Sequence, residues 1–238
     1  MKYEELNSIY KAHIPLEVLE VLEQHRYKQE QSEFFTRLME IDEILEMKDF
    51  LDKFKVFENL IPIWTDDNSN YICMYYSGAL KYRICYLNHE ETDISPQYRT
   101  IQVFVTELEK DEECDWEELI KDYPTRDKVN KNDLEADLTS IKELNSALDN
   151  SDLDEDLRTQ IIYSILALTP YGHLDSIVKY LDDEDDYVQE RACDIVGFHR
   201  YSPAINKLKE LCITGRVNVP GAAKRALGRL IQTELSDN

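Results

Sequence analysis

Ile161 to Leu181 can be laid on Arg191 to Leu211 at an offset of 30 residues, and no other feature limits the fold of this chain so strongly. Under that offset Ile165 meets Ile195, Leu166 meets Val196, Ala167 meets Gly197 and Leu168 meets Phe198. Tyr171 and Tyr201, Val178 and Leu208, and Leu181 and Leu211 also match in size or polarity. A third, partial copy begins where Ala226-Leu227-Gly228 falls 31 residues beyond Ile195-Val196-Gly197. A period near 30, with a polar turn inside each unit, predicts helix pairs that bury their faces only by stacking on one another.

Between the two clearest copies lies Asp182-Asp183-Glu184-Asp185-Asp186. Carboxylates at that position oppose the positive end of a helix dipole and cap free amides, which predicts a helix start. As a calcium loop the run fails, because it lacks the central glycine and the closing glutamate. Leu181 to Ala192 resembles the bacterial HEAT-like repeat, in which an acidic turn precedes a valine, a basic residue and an alanine; Gln189 stands where that family usually carries arginine. The resemblance implies an α-solenoid with a protein-binding surface over about residues 151–238, and it does not imply an enzyme.

The front of the chain has a different rhythm. Leu16, Val18, Leu19 and Leu22 follow Pro15, which suits a first helical turn. Phe34, Leu38, Ile41, Leu45 and Phe50 recur at helical steps and predict one longer helix, with Leu51, Phe54 and Phe57 continuing the apolar pattern. Leu60-Ile61-Pro62-Ile63-Trp64 then reads as a short strand, with Pro62 at an edge or strand start. Turn formers fill 65–70, and Tyr71–Tyr76 and Lys81–Leu87 form a hairpin around a tight Ser77-Gly78 turn. In that hairpin Tyr82 and Tyr86 share a strand face. Ile101, Phe104, Val105 and Leu108 return to helical spacing, and Trp116, Leu119 and Ile120 predict another helix. A polar linker follows from Tyr123, then a helix carrying Leu134, Leu138, Ile141, Leu144 and Leu148.

This order resembles the SUKH superfamily, whose members are mostly immunity proteins of bacterial polymorphic-toxin and contact-dependent systems. Ile61-Pro62-Ile63, Asp67, Asn70, Gly78, Phe104 and Leu108 occupy its motif positions. The Asn-Gly pair usual before the first strand is missing, and Tyr75-Tyr76-Ser77 replaces an aspartate after the middle strand. The resemblance implies an α+β fold and the task of binding and blocking a toxin domain.

Charge narrows the class of partner. The 27 basic and 49 acidic residues give a net charge of −22. Residues 187–238 carry a net +3, so the rest carries about −25. Such a field repels phosphate backbones and anionic lipid, which excludes nucleic acid and membrane as partners, and it favours a basic protein. Met1 is followed by Lys2, Tyr3, Glu4 and Glu5 rather than an apolar leader, and no apolar run nears the ~20 residues of a span. The five cysteines lack C-x-x-C spacing and suit reduced thiols in a cytoplasmic setting, with Cys73 and Cys85 either facing each other or serving as small buried hydrophobes.

No nucleophile elbow, phosphate loop or dinucleotide fingerprint occurs. His89-Glu90 lacks the second histidine of a zincin helix, so its loop makes a metal site only with a distant ligand. The expected fold is α+β, a SUKH-like mixed sheet with flanking helices over residues 1–123. A linker and connecting helix (124–150) and a short all-α HEAT-like solenoid (151–238) follow. The expected activity is non-enzymatic, without cofactor or metal: neutralisation of a basic toxin domain such as a nuclease. The expected partner-binding residues are Asp66, Asp67, Asn70, Tyr75, Glu90, Glu91 and Asp93. A general adaptor using the repeats is the alternative; an enzyme, lyase-like in view of the bilin-attachment proteins that also carry HEAT-like repeats, is a third reading.

Overall fold

The computed structural model describes residues 2–90, 92–125, 130–150 and 152–236, the last five by backbone alone. It is a mixed α+β protein with a small antiparallel sheet, and it divides into two compact units, Met1–Tyr123 and Pro124–Asn238.

In the first unit a 3-10 turn leads through α1 (Leu6–Ile9) to α2 (Leu16–Gln29). The elements β1 (Arg37–Leu38), α3 (Ile41–Leu51), β2 (Leu60–Thr65), β3 (Tyr71–Tyr75), β4 (Ile84–Leu87) and α4 (Ile101–Leu108) follow. The sheet order is β1-β2-β3-β4, every pair antiparallel. Trp64, Ile72 and Tyr86 are register partners and therefore share a face. On that face Trp64, fully buried, meets Phe104 of α4 edge-on at 4.8 Å and lies 6.3 Å from His25 of α2. Phe104 also packs Tyr98 and Trp116, and with Leu108 it is fully buried, so α4, the helix its spacing predicted, packs onto the core. Each fully buried Ile or Leu here contributes roughly 1.5–3 kcal/mol of transfer free energy.

Three sequence expectations change in this unit. The single helix over Phe34–Phe50 is broken, because Arg37 and Leu38 pair with Thr65 and Trp64 as an edge strand. A new helix starts at Ile41 through a capping box, in which Glu43 accepts from the Glu40 amide at 2.7 Å. Pro62 lies inside β2 where β1, which covers only Trp64 and Thr65, leaves the strand an open edge, as one of the two expected positions had it, and the register shifts between Pro62 and Trp64. The tight Ser77-Gly78 turn is a longer loop, with Gly78 at φ +74° and Tyr82 at φ +69°, so β4 begins only at Ile84. Trp116 to Ile120 forms turns instead of a helix. The Asp115 carboxylate accepts from the Glu117 and Glu118 amides at 2.8 and 3.2 Å, while Trp116 and Leu119 are buried and Ile120 is 72% exposed.

The second unit is all helix among its described residues: α5 (Lys131–Leu148), α6 (Glu155–Leu168), a 3-10 helix (Tyr171–Asp182), α7 (Asp186–Phe198), α8 (Ile205–Thr214) and α9 (Val219–Ser236). The repeat partners Ile165 and Ile195 fall on α6 and α7, and both are buried. Gly197 of α7 packs so closely on Ala226 of α9 that an added Cβ would lie 2.7 Å from the Ala226 Cα. The acidic run starts α7: Asp185 accepts from the Tyr187 amide at 2.8 Å. Asp183 takes both guanidinium nitrogens of Arg158 at 3.1 and 2.7 Å, Asp186 meets Arg216, and Asp182 meets Lys207. These ion pairs tie successive helices and lower the local cost of so many carboxylates.

Candidate functional site

Antiparallel pairing brings Thr65, Tyr71 and Leu87 to one end of the sheet, and with them the 66–70 turn and the loop after β4. Asp66 builds that turn. Its carboxylate accepts from the Asn68 amide at 2.8 Å, the Asn70 amide at 3.3 Å and the Asn70 side chain at 2.7 Å. Asp67 and Ser69 take left-handed φ of 60° and 66°, which the turn stabilises. The Asn70 side-chain oxygen accepts from the His89 amide at 3.3 Å and lies 3.0 Å from His89 Nδ1. One asparagine thus joins the two loops and sets Glu90 beside the turn.

Sheet pairing therefore gathers Asp66, Asp67, Asn70 and Glu90. Asp93 lies apart, where its charge adds to the burial that holds the Tyr75 and Cys85 pKa values up, and its carboxylate accepts from the Ser95 amide at 2.9 Å. Tyr75 is not a surface contact. It is buried, its hydroxyl donates to the Ile94 carbonyl at 2.8 Å, and desolvation holds its pKa well above the usual tyrosine range. Two other tyrosines of the hairpin serve as backbone staples, Tyr76 donating to Glu58 O and Tyr82 to His13 O. Glu91 lies outside the described residues.

Two concavities open at this sheet end, and they differ in charge balance. The first, about 340 Å³, is lined by Arg37, Glu43, Asp67 and Tyr71. There Arg37 forks onto Asp67 at 2.6 and 2.8 Å and onto Glu43 at 2.7 and 2.9 Å. Hydrogen bonds donated to Glu43 and Asp67 raise the Arg37 pKa, and Arg37 holds the Glu43 carboxyl below the usual range. That side already contains its cation.

The second concavity, about 180 Å³, has walls of Phe35, Ile72, Tyr86 and Trp116 and a rim of Asp66, Asp115 and Glu117. Tyr86 lies flat on Trp116, ring centroids 4.7 Å apart and planes 13° from parallel. Lys121 Nζ sits 4.0 Å from the Trp116 centroid, necessarily over the other face, and donates to the Trp116 carbonyl. Burial pushes the Lys121 pKa down to about 8 against the pull of Glu117 and Asp115. The Tyr86 pKa is pushed up to about 12, by burial first and then by Asp66, Glu117, Asp115 and Glu90. The charge of all four carboxylates thus acts on one hydroxyl, and Asp66, Asp115 and Glu117 line the cleft itself. Among the described residues none of Asp66, Asp115 and Glu117 forms an ion pair with lysine or arginine. Phe35, 46% exposed, forms the outer wall.

Asp115, Glu117, Tyr86 and Phe35 are absent from the sequence-based set. The signal for two of them was Cys114-Asp115-Trp116-Glu117-Glu118, a tryptophan set in an acidic run. No group of three or more His, Cys, Asp or Glu side chains able to hold a metal occurs among the described residues. Nor is any described helix long and apolar enough to cross a membrane. No family model, curated protein or solved structure matches the chain.

Proposed function

We propose that this chain is a non-enzymatic acidic binding protein that captures a basic protein partner, with the Tyr86–Trp116 cleft as the seat for one of the partner's lysine or arginine side chains. The observation that carries this reading is that Asp66, Asp115 and Glu117 line the cleft and, among the described residues, none forms an ion pair with lysine or arginine, while neighbouring Asp67 is met by Arg37. A guanidinium gains twice there, from forked hydrogen bonds to carboxylates and from the exposed ring of Phe35, both faces of Trp116 being already covered by Tyr86 and Lys121. The net charge of −22 adds long-range steering toward a basic partner.

The SUKH-like order of the first unit extends the proposal: a cytoplasmic immunity protein that occludes a bacterial polymorphic-toxin domain. A nuclease toxin is basic because its substrate is a phosphate backbone, and it complements this cleft. The HEAT-like second unit then offers a separate protein-binding surface of its own. A second reading, a general adaptor working through that unit, is favoured by Tyr187 and Phe198 of α7, which are 62% and 45% exposed. Co-expression with the toxin encoded beside its gene separates the two. Relief of killing by the native chain, lost in a D115N/E117Q variant, supports the immunity reading. No relief from any adjacent toxin, with several unrelated proteins captured through residues 152–238, supports the adaptor.

A further inference from the structure

The inner edge of the cleft is fixed by a chain of hydrogen bonds that runs through one fully buried histidine. His25 of α2 is 0% exposed, with Nδ1 2.9 Å from Glu109 Oε1 just beyond α4. Its Nε2 lies 2.9 Å from Gln29 Nε2. The same Gln29 amide donates to the Thr36 carbonyl at 3.2 Å, and its oxygen accepts from the Leu38 amide at 2.8 Å. These contacts fix the protons. A carboxylate only accepts, so Nδ1 carries hydrogen; Nε2 is bare and accepts from the Gln29 NH2. The Gln29 oxygen is then the group left for Leu38. Phe35 and Thr36, on the segment so held, line the cleft, and Phe35 is also anchored by its amide donating to Glu112 O at 2.8 Å.

We infer that His25 and Gln29 form a proton-operated clamp on the Thr36–Leu38 segment, through which acidification loosens one wall of the partner cleft. The inference rests on the binding function proposed above only for its consequence; the clamp itself is a property of the free chain. Protonation places a second N–H on Nε2, which then faces the Gln29 NH2, donor against donor. Gln29 relieves this by turning its amide, and the turn takes the acceptor from Leu38 N and the donor from Thr36 O together. Two bonds to the Thr36–Leu38 segment are lost for one proton gained.

The charged groups facing His25 are Glu109, which favours its charged form, and Lys28, which opposes it and also bonds Glu109. The neighbours from the β1 and β2 side, Phe34 at 5.2 Å and Trp64 at 6.3 Å, are neutral rings. Burial outweighs Glu109 and keeps the closed-state pKa below the ordinary 6.5. The open segment, with a solvated imidazole, takes a proton first. The clamp is therefore at full strength above about pH 6.5 and weakens as the pH falls below it, until the closed form also protonates.

Amide hydrogen exchange on the native chain, with 15N spectra of the imidazole, tests this without any partner. At pH 7.5 the ring is expected as the Nδ1–H tautomer. After correction for intrinsic rates, exchange at Leu38 is expected to rise by up to about tenfold per pH unit below 6.5, the limit for one linked proton. The Tyr75 amide, bonded to Arg83 O at 3.0 Å, should hold its protection over the same range. In Glu109→Gln, which loses the charge favouring imidazolium, the rise at Leu38 should continue to lower pH. An Nε2–H tautomer, or Leu38 tracking Tyr75 at every pH in both proteins, overturns the clamp and leaves the binding proposal standing. A normal clamp in a chain that binds no basic partner has the opposite meaning.

Discussion

Tyr86 and Trp116 stack with centroids 4.7 Å apart although 29 residues separate them, one on β4 and the other in a turn beyond α4. The contact joins the sheet to the acidic 111–118 segment and makes the floor of the cleft. A double-mutant cycle with Tyr86→Leu and Trp116→Leu, read by urea unfolding, should return a coupling of about 1 kcal/mol. A coupling indistinguishable from zero would mean that the rings lie together without holding the segment.

At the Gly197–Ala226 crossing the second unit is packed too tightly for any side chain. Gly197→Ala would place its Cβ 2.7 and 2.8 Å from the Ala226 Cα and Cβ, so one helix must move. The expected loss is about 1–3 kcal/mol, seen as a lower denaturation midpoint at unchanged slope. Gly228→Ala meets nothing within 4 Å and should instead stabilise α9, by up to about 1 kcal/mol. Two glycine-to-alanine changes of opposite sign separate packing from backbone propensity.

His199 sets a pH limit on the second unit. It is buried, and desolvation lowers its pKa to about 4 from an ordinary 6.5. The unfolded chain therefore binds a proton before the folded chain does, so stability falls as the pH drops from 6.5 toward 4. The contribution lost by pH 4 is on the order of 3 kcal/mol. Chemical denaturation at pH 7 and pH 4.5 should show a smaller pH-dependent loss in His199→Gln than in the native chain. Equal losses would mean that carboxylates alone govern acid unfolding.

The sequence was most legible where pattern and structure are both local. The hairpin region, the helix from Ile101 and the helices after Asn130 follow from spacing, caps and turn residues within a few positions. The strand at Arg37–Leu38 was hidden because Phe34, Leu38 and Ile41 step by four and three, as a helix does, while the Gln29 amide and β2 take the backbone bonds. Trp116 and Leu119 also keep a helical step, and Asp115 caps the first amides, yet Lys121 takes the Trp116 carbonyl that a continuing helix would use. Within the site, Asp66, Asn70 and Glu90 could be found because turns advertise themselves. Tyr75 was assigned to the surface because alternation alone gives no account of what covers the second face of a sheet. Asp115, Glu117 and Phe35 reach the cleft only through tertiary packing.

Charge at this sheet end should act unequally from residue to residue. Asp67→Asn removes a carboxylate already met by Arg37, and it should cost about 1 kcal/mol of stability or less while leaving capture of a basic partner unchanged. D115N/E117Q removes unpaired charge, so it should slow association by roughly tenfold or more and flatten its salt dependence. Stopped-flow association at low and high salt reads both.

The most direct measurement of the central claim uses a capped arginine amide titrated into the 15N-labelled native chain. Weak, saturable shifts are expected at the Trp116 indole and at the amides of Asp66 and Glu117. The Asp67→Asn variant should retain them, D115N/E117Q should lose them, and an equally sized neutral amide should not elicit them. Shifts that spread over the whole acidic surface, or that survive in D115N/E117Q, would contradict a cation seat between Tyr86, Trp116 and the three carboxylates.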